Sequence, residues 1–207
     1  SEQGIVLIFD ESSSGFRQVI GGHHLTLGVN PDMAVFGKTL GNGYAITAVL
    51  GTDHVMDVAR ELFISSTFWS ERIGPAAGLA SLAAMAEEDA PARIHQLGLR
   101  YRKELTERMG GNANGVEFVG LPAISVVALA NVEDGSLLKT YIVGEMLERN
   151  YLAGPALYAS LPHAEHLSQF VGEMSEVLSK AASLGERGIA ENLANQALAT
   201  TGFARLA

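Results

Sequence analysis

Two charged side chains with complementary chemistry follow short apolar runs near the start of the chain. The runs cover residues 5–9 and 33–36, and they lead to Asp10 and Lys38. A lysine amine that rests on apolar surface loses solvation of its charged form, which favours the nucleophilic amine. A carboxylate after an apolar run needs a cation, a metal or hydrogen-bond donors. The pair therefore allows covalent catalysis with an acidic partner, although a solvated loop lysine and a turn aspartate are the ordinary alternatives.

Strands are the elements that must position these two residues. Both runs have the length and the β-branched or aromatic content of buried strands. In an open α/β sheet, ligands bind beyond the carboxyl ends of the strands. We therefore expect strands over 5–9 and 33–36 with Asp10 and Lys38 at one rim. Residues 44–50 follow a glycine-rich turn and predict a third strand.

The composition indicates an ordinary globular protein. The chain has 207 residues, of which 47% are hydrophobic, and its net charge is −9. An acidic protein without a basic stripe is a poor binder of nucleic acid or of an anionic membrane. It contains no cysteine, and it shows neither an apolar run long enough to span a bilayer nor an initial signal peptide. We expect a soluble, cytoplasmic protein without nucleic-acid or membrane partners.

The remaining chain predicts a change of character near Pro91. Reactive residues at strand ends come before it, and amphipathic helices with few catalytic candidates come after it. We expect two domains, over residues 1–90 and 91–207. Helices are predicted over 53–61, 75–88, 93–109, 136–150, 163–184 and 185–199, antiparallel strands over 116–119 and 124–130, and an extended stretch over 151–161.

Several short motifs do not carry a function by themselves. Gly-Lys-Thr at 37–39 resembles the end of a phosphate-binding P-loop, but Asp32 stands where that motif requires glycine. The glycines at 41 and 43 lack the third glycine of a dinucleotide-binding motif. The pairs at 23–24 and 163/166 are histidines without cysteine or a clear carboxylate partner. We expect surface histidines there and no metal site.

The two segments around Asp10 and Lys38 resemble a known family. LIFDESSSGFR (7–17) and GVNPDMAVFGKTLGNGYAITAVLG (28–51) are similar to the class III aminotransferases, which are pyridoxal-phosphate (PLP) enzymes of fold type I, and most of all to glutamate-1-semialdehyde aminomutase-like members. The 28-residue separation of the aspartate and the lysine also fits that family. The resemblance implies an α/β fold: part of the fold type I large domain, with a mainly parallel sheet, plus a smaller α+β domain.

The resemblance also implies roles for individual residues. Lys38 would form the Schiff base with the cofactor and move a proton during catalysis, and Asp10 would keep the pyridine nitrogen protonated. Ser12 occupies the position of an apolar residue that packs on the cofactor ring in relatives. Thr67, assisted by Ser66, would reach the cofactor phosphate of the neighbouring subunit in a homodimer. The implied substrates are small amino and keto compounds.

Family members carry roughly a further domain before the first strand found here. We therefore expect this chain to be the C-terminal half of an enzyme, inactive alone and stable only when a partner covers its strand edges. The ending at residues 203–206 also resembles the family. Two alternatives stay open: a degenerate PLP-fold module that serves binding or assembly, and an unrelated α/β enzyme that uses Asp10 and Glu11 on a metal.

Overall fold

A computed structural model describes residues 4–68, 70–113 and 115–199, so the family-like ending at 203–206 lies outside the described residues. The chain divides into two compact units, with the boundary between His95 and Gln96. Each unit contains a three-stranded sheet. A compact unit need not be an independent domain, and the expected domain boundary at residue 90 stays a prediction. No helix within the described ranges is long and apolar enough to cross a membrane.

The sheet of the first unit has the order β1-β2-β3, with β1 at Ile8–Glu11, β2 at Met33–Phe36 and β3 at Ala48–Gly51. β1 and β2 are parallel, whereas β2 and β3 are antiparallel. The prediction for β2 is confirmed, but β1 begins three residues later than expected. The reason is a contact with the turn before β2, because the backbone N–H of Leu7 donates to the Asp32 carboxylate at 2.8 Å and the Leu7 carbonyl accepts from the same turn.

Burial in this sheet differs from the expectation of buried strands. Ala34 and Phe36 of the central strand β2 are buried. Ile8 of β1 is 54% exposed and Leu50 of β3 is 61% exposed. Parallel strands normally become buried when other elements cover both faces of the sheet. The prediction of burial is therefore wrong for β1, and β3 is exposed as well.

Two helices complete the first unit, α1 at Asp53–Met56 and α2 at Ile73–Glu87. The buried face of α2 consists of three small residues and one methionine, at Gly74, Gly78, Ser81 and Met85. A β-carbon added at Gly74 would lie 2.9 Å from the carbonyl oxygen of Ala45. The helix therefore approaches other backbone closely, but on one face only, because Leu79 is 71% exposed.

The second unit combines an antiparallel sheet with long helices. The sheet has the order β4-β5-β6, with β4 at Val116–Val119, β5 at Ile124–Leu129 and β6 at Ala156–Tyr158. The helices are α3 at Ala90–Met109, α4 at Gly135–Glu148 and α5 at Leu167–Asn192. The antiparallel pairing of β4 with β5 confirms the prediction. The two helices expected over 163–184 and 185–199 form one element, interrupted at Gly185, where φ is 62°.

Candidate active site

Asp10 lies inside β1, opposite Val35 of β2, with its side chain exposed. Its carboxylate accepts two hydrogen bonds from Ser12, one from the hydroxyl at 2.5 Å and one from the backbone N–H at 3.0 Å. The Ser12 hydroxyl, its backbone N–H and the charge of Lys38 hold the pKa of Asp10 below its usual 3.8. The carboxylate is therefore a stable anion at neutral pH.

Lys38 begins a short 3₁₀ turn, Lys38–Leu40, directly after Gly37. Its φ of 42° is uncommon for a residue other than glycine. The turn is held in place because the carbonyl of Thr39 accepts a hydrogen bond from the Ser81 hydroxyl of α2 at 3.1 Å. The Lys38 side chain is exposed. The amine therefore does not rest on apolar surface within this chain as expected, and its Nζ instead donates to the Ser13 hydroxyl.

The serine-rich loop after β1 connects the two groups. Ser12 donates to Asp10, and the ammonium of Lys38 donates to the hydroxyl of the adjacent Ser13. The charge of Lys38 also acts on Asp10. The expectation that the carboxylate and the amine share one rim of the sheet agrees with these contacts. Ser12 uses its hydroxyl on Asp10, which an apolar residue at this position would not do.

Ser66 and Thr67 lie elsewhere, on an exposed stretch of the first unit. The Ser66 hydroxyl accepts a hydrogen bond from the backbone N–H of Phe68 at 3.3 Å. No hydrogen bond within residues 4–68 and 70–113 joins Ser66 or Thr67 to Asp10 or Lys38. Their predicted role toward a cofactor phosphate stays a prediction.

Glu11 follows Asp10 in β1, and the burial of its side chain was not predicted from the sequence. Its side chain is only 2% exposed. It accepts hydrogen bonds from the backbone N–H of His24 at 2.9 Å and from the Ser14 hydroxyl, and it lies 3.1 Å from His24 Nδ1. Burial raises the pKa of Glu11, but the hydrogen bonds from Ser14, His24 and the His23 backbone lower it below the ordinary value. The alternation of side chains along a strand could have indicated this inward orientation.

The same alternation disagrees with the metal hypothesis. Asp10 is exposed and Glu11 is buried, so their carboxylates leave β1 on opposite sides. Within the described part of the chain, no cluster of three or more histidine, aspartate or glutamate side chains could hold a metal ion. His163 and His166 instead line an apolar cavity of about 370 Å³ in the second unit, together with Tyr151, Tyr158 and Phe170.

The residues at the rim have the chemistry that PLP requires. An ionised, accessible carboxylate is the partner that a protonated pyridine nitrogen needs, and an accessible primary amine can bond covalently to an aldehyde. Both groups belong to one small loop-and-strand arrangement. The residues therefore fit the ring nitrogen and the aldehyde of this cofactor.

A comparison with solved structures identifies the fold of the chain. It superposes on the FumI protein of Sphingopyxis sp. MTA144 in its PLP form with a TM-score of 0.74, at 23% identity and over 94% of this chain and 45% of that one. The fold is thus that of the fold type I PLP proteins, as expected. The model of the aminotransferase class-III family matches residues 1–119. The chain belongs to this family, whose members are enzymes that use PLP.

Curated relatives agree with the family assignment. The 3-aminobutyryl-CoA aminotransferase of Cloacimonas acidaminovorans is 31% identical over 72% of this chain and 37% of that protein. The glutamate-1-semialdehyde 2,1-aminomutase of Neisseria meningitidis serogroup B is 29% identical over 82% of this chain and 43% of that protein. The expected family and cofactor class are confirmed. The chain spans less than half the length of the relatives it matches.

Proposed function

We propose that the complete protein is a PLP-dependent aminotransferase or aminomutase that moves an amino group between small amino and keto compounds. One observation carries this proposal. The ionised Asp10 carboxylate and the accessible Lys38 amine are each hydrogen-bonded to the serine-rich loop that follows β1. Membership of the class-III aminotransferases supports the reaction class. The amino donor and acceptor stay open, since the relatives named above differ in substrate.

Lys38 and Asp10 have distinct tasks in this proposal. When bound, the cofactor supplies an electron-poor ring that stabilises negative charge on the substrate carbon. Lys38 would bind the cofactor covalently through Nζ and would hold or move a proton at that atom. Asp10 would keep the pyridine nitrogen protonated through its carboxylate, and Ser12 would keep that carboxylate ionised and oriented.

We also propose a homodimer in which each subunit completes the other's site. Ser66 and Thr67 are exposed and form no hydrogen bond with the Asp10–Lys38 pair within the described residues. Large apolar side chains nearby in sequence are exposed as well, with Phe63 at 96% and Phe68 at 72%. Exposed apolar surface of this kind marks interaction sites. Ser66 and Thr67 would bind the phosphate group of the partner's cofactor. A cytoplasmic location stays a prediction.

Borohydride reduction tests the covalent role of Lys38. The complete protein is incubated with PLP, reduced and digested, and the modified peptide is identified by mass spectrometry. We expect the label on Lys38, its loss in Lys38→Arg, and no change in Lys139→Arg, a control at another exposed lysine. No label in the complete protein would contradict the proposal and favour the degenerate module.

The isolated 207-residue chain provides a second test. We expect only a weak imine absorbance band from this chain with PLP, because in the proposed homodimer Ser66 and Thr67 serve the partner's site and because β1 and β3 are exposed. A strong band that responds to added amine would refute the idea that further polypeptide is needed to complete the site.

A further inference from the structure

Glu11 is an unusual residue in the core of the first unit. The buried polar side chains in the described residues are Glu11 and three serines, Ser81, Ser125 and Ser175. A buried carboxylate is costly unless hydrogen bonds satisfy it. The proposed reaction gives Glu11 no task, since its side chain leaves β1 on the side opposite to Asp10. Its burial therefore requires a separate explanation.

The contacts of Glu11 fasten the loop that follows β1 at both of its ends. Near the start, the carboxylate accepts from the Ser14 hydroxyl, and the Glu11 carbonyl accepts from the Gly15 N–H at 2.9 Å. Near the end, it accepts from the His24 N–H at 2.9 Å. We refer to residues 12–24 as the serine loop. The Glu11 side chain thus binds two parts of this loop that are ten residues apart in sequence.

Two glycines allow the loop to close over the carboxylate. A β-carbon at Gly15 would lie 2.8 Å from the Glu11 carbonyl oxygen, and one at Gly22 would lie 2.9 Å from the Glu11 carboxylate and 2.3 Å from His24 Nδ1. Contacts this short leave no room for a side chain. The glycines and the buried carboxylate therefore form one arrangement.

We propose that Glu11 is a positioning residue for the Asp10–Lys38 pair. The buried Glu11 carboxylate holds the serine loop through Ser14 and His24. On its exposed side the same loop places Ser12 against Asp10 and Ser13 against Lys38. Glu11 would act through these serines and would not contact the cofactor. This inference rests on the proposed function for its catalytic consequence, but its structural part can be tested without cofactor.

Hydrogen exchange of the cofactor-free complete protein tests the structural part. Glu11→Gln keeps the size of the side chain but removes its charge and one acceptor. We expect the amides of residues 12–24 to exchange about tenfold faster, as the loss of about one hydrogen bond implies. The matched control is Glu186→Gln in the second unit, where the carboxylate also accepts two backbone N–H groups, at 2.6 and 3.1 Å. It should leave residues 12–24 unchanged. Unchanged exchange in Glu11→Gln would overturn the proposal.

A double-mutant cycle tests whether Glu11 acts through Ser12. The dissociation constant of PLP is measured by absorbance titration for wild type, Glu11→Gln, Ser12→Ala and the double variant. We expect each single variant to weaken binding about tenfold and the double variant to be within about threefold of Ser12→Ala. A merely structural role would instead give additive losses or lower only the thermal stability, and either result would overturn the proposal.

Failure of the Glu11 proposal can be distinguished from misfolding of the variant and from failure of the proposed function. If Glu11→Gln does not fold, Ser14→Ala replaces it in the cycle, because it removes the link from the buried carboxylate to the loop and leaves Glu11 in place. If wild type does not bind PLP, the proposed function fails. The hydrogen-exchange result then still decides whether Glu11 fixes the serine loop.

Discussion

Gly98 lies in the middle of α3, where the helix packs against the turn between β4 and β5. A β-carbon at this position would lie 1.9 Å from the carbonyl oxygen of Pro122 and 2.3 Å from its carbonyl carbon. Both obstacles are backbone atoms, so neither can rotate away. Gly98→Ala therefore forces the helix and the turn apart by about 1 Å or more, in a region where Tyr101 and Leu105 are fully buried.

The energetic outcome follows from two opposing effects. Alanine is more favourable than glycine in a helix interior by about 1 kcal/mol. Forcing extra volume into a packed core costs about 3 kcal/mol when the neighbours cannot yield. The net destabilisation is about 2 kcal/mol, which for a chain of this size lowers the midpoint of thermal unfolding by about 4–8 °C.

Gly144 supplies the matched control, because it lies inside α4 and a β-carbon there would meet no atom within 4 Å. Gly144→Ala should therefore show the helix-propensity gain alone and raise the midpoint by about 2–4 °C. Circular dichroism at 222 nm follows both melts in the complete protein. A Gly98→Ala variant that melts at or above the wild-type temperature would refute the close contact between α3 and the β4–β5 turn.

Three further predictions concern hydrogen-bonded charges. Ser12→Ala should raise the pKa of Asp10 toward 3.8, in an NMR titration of the carboxyl carbon. Glu145→Gln should cost about 1 kcal/mol at pH 7, because hydrogen bonds from Lys180 and Arg149 lower the pKa of Glu145. This difference should shrink in urea titrations below pH 4.5, as Glu145 becomes protonated. Arg102→Ala should lower the melting midpoint by about 4 °C, because it removes two side-chain hydrogen bonds.

The first two of these variants have controls on the exposed surface. Ser183→Ala should leave the Asp10 titration unchanged, since the Ser183 hydroxyl donates to the carbonyl of Ser179 within its own helix. Glu191→Gln breaks an exposed ion pair with Arg187 and should change stability little at any pH. An Asp10 pKa that does not move, or a Glu145→Gln effect that is already absent at pH 7, would contradict the assigned hydrogen bonds.

Local sequence patterns predicted which segments form strands and helices better than they predicted the contacts that surround those segments. Met33–Phe36 and Val116–Val119 form strands as expected, and the chain breaks its helical conformation at Gly185 as expected. These features depend on residue types within a few positions. The beginning of β1 was misplaced because a carboxylate from the turn before β2, 25 residues away, binds the Leu7 N–H. Such a contact leaves no periodic pattern in the sequence.

In the candidate site, too, features that depend on neighbouring residues were predicted, and features that depend on distant residues were not. Asp10 and Lys38 were identifiable because each follows an apolar run. Glu11 was not, because its burial depends on Ser14 and on His24, which comes thirteen residues later. The expected desolvation of Lys38 was wrong because exposure depends on what covers the turn after β2, and no residue near Lys38 encodes that cover.

The register of β1 against β2 determines which carboxylate is exposed and which is buried. Asp10 pairs with Val35 and Glu11 pairs with Phe36, so consecutive carboxylates serve opposite faces of one strand. A slip of one residue would bury the anion proposed for the pyridine nitrogen and expose the anion that fastens the serine loop. Both losses would occur together, since the strand alternates with period two. The parallel pairing of four residues therefore specifies the proposed catalytic pair as much as the identity of Asp10 and Lys38 does.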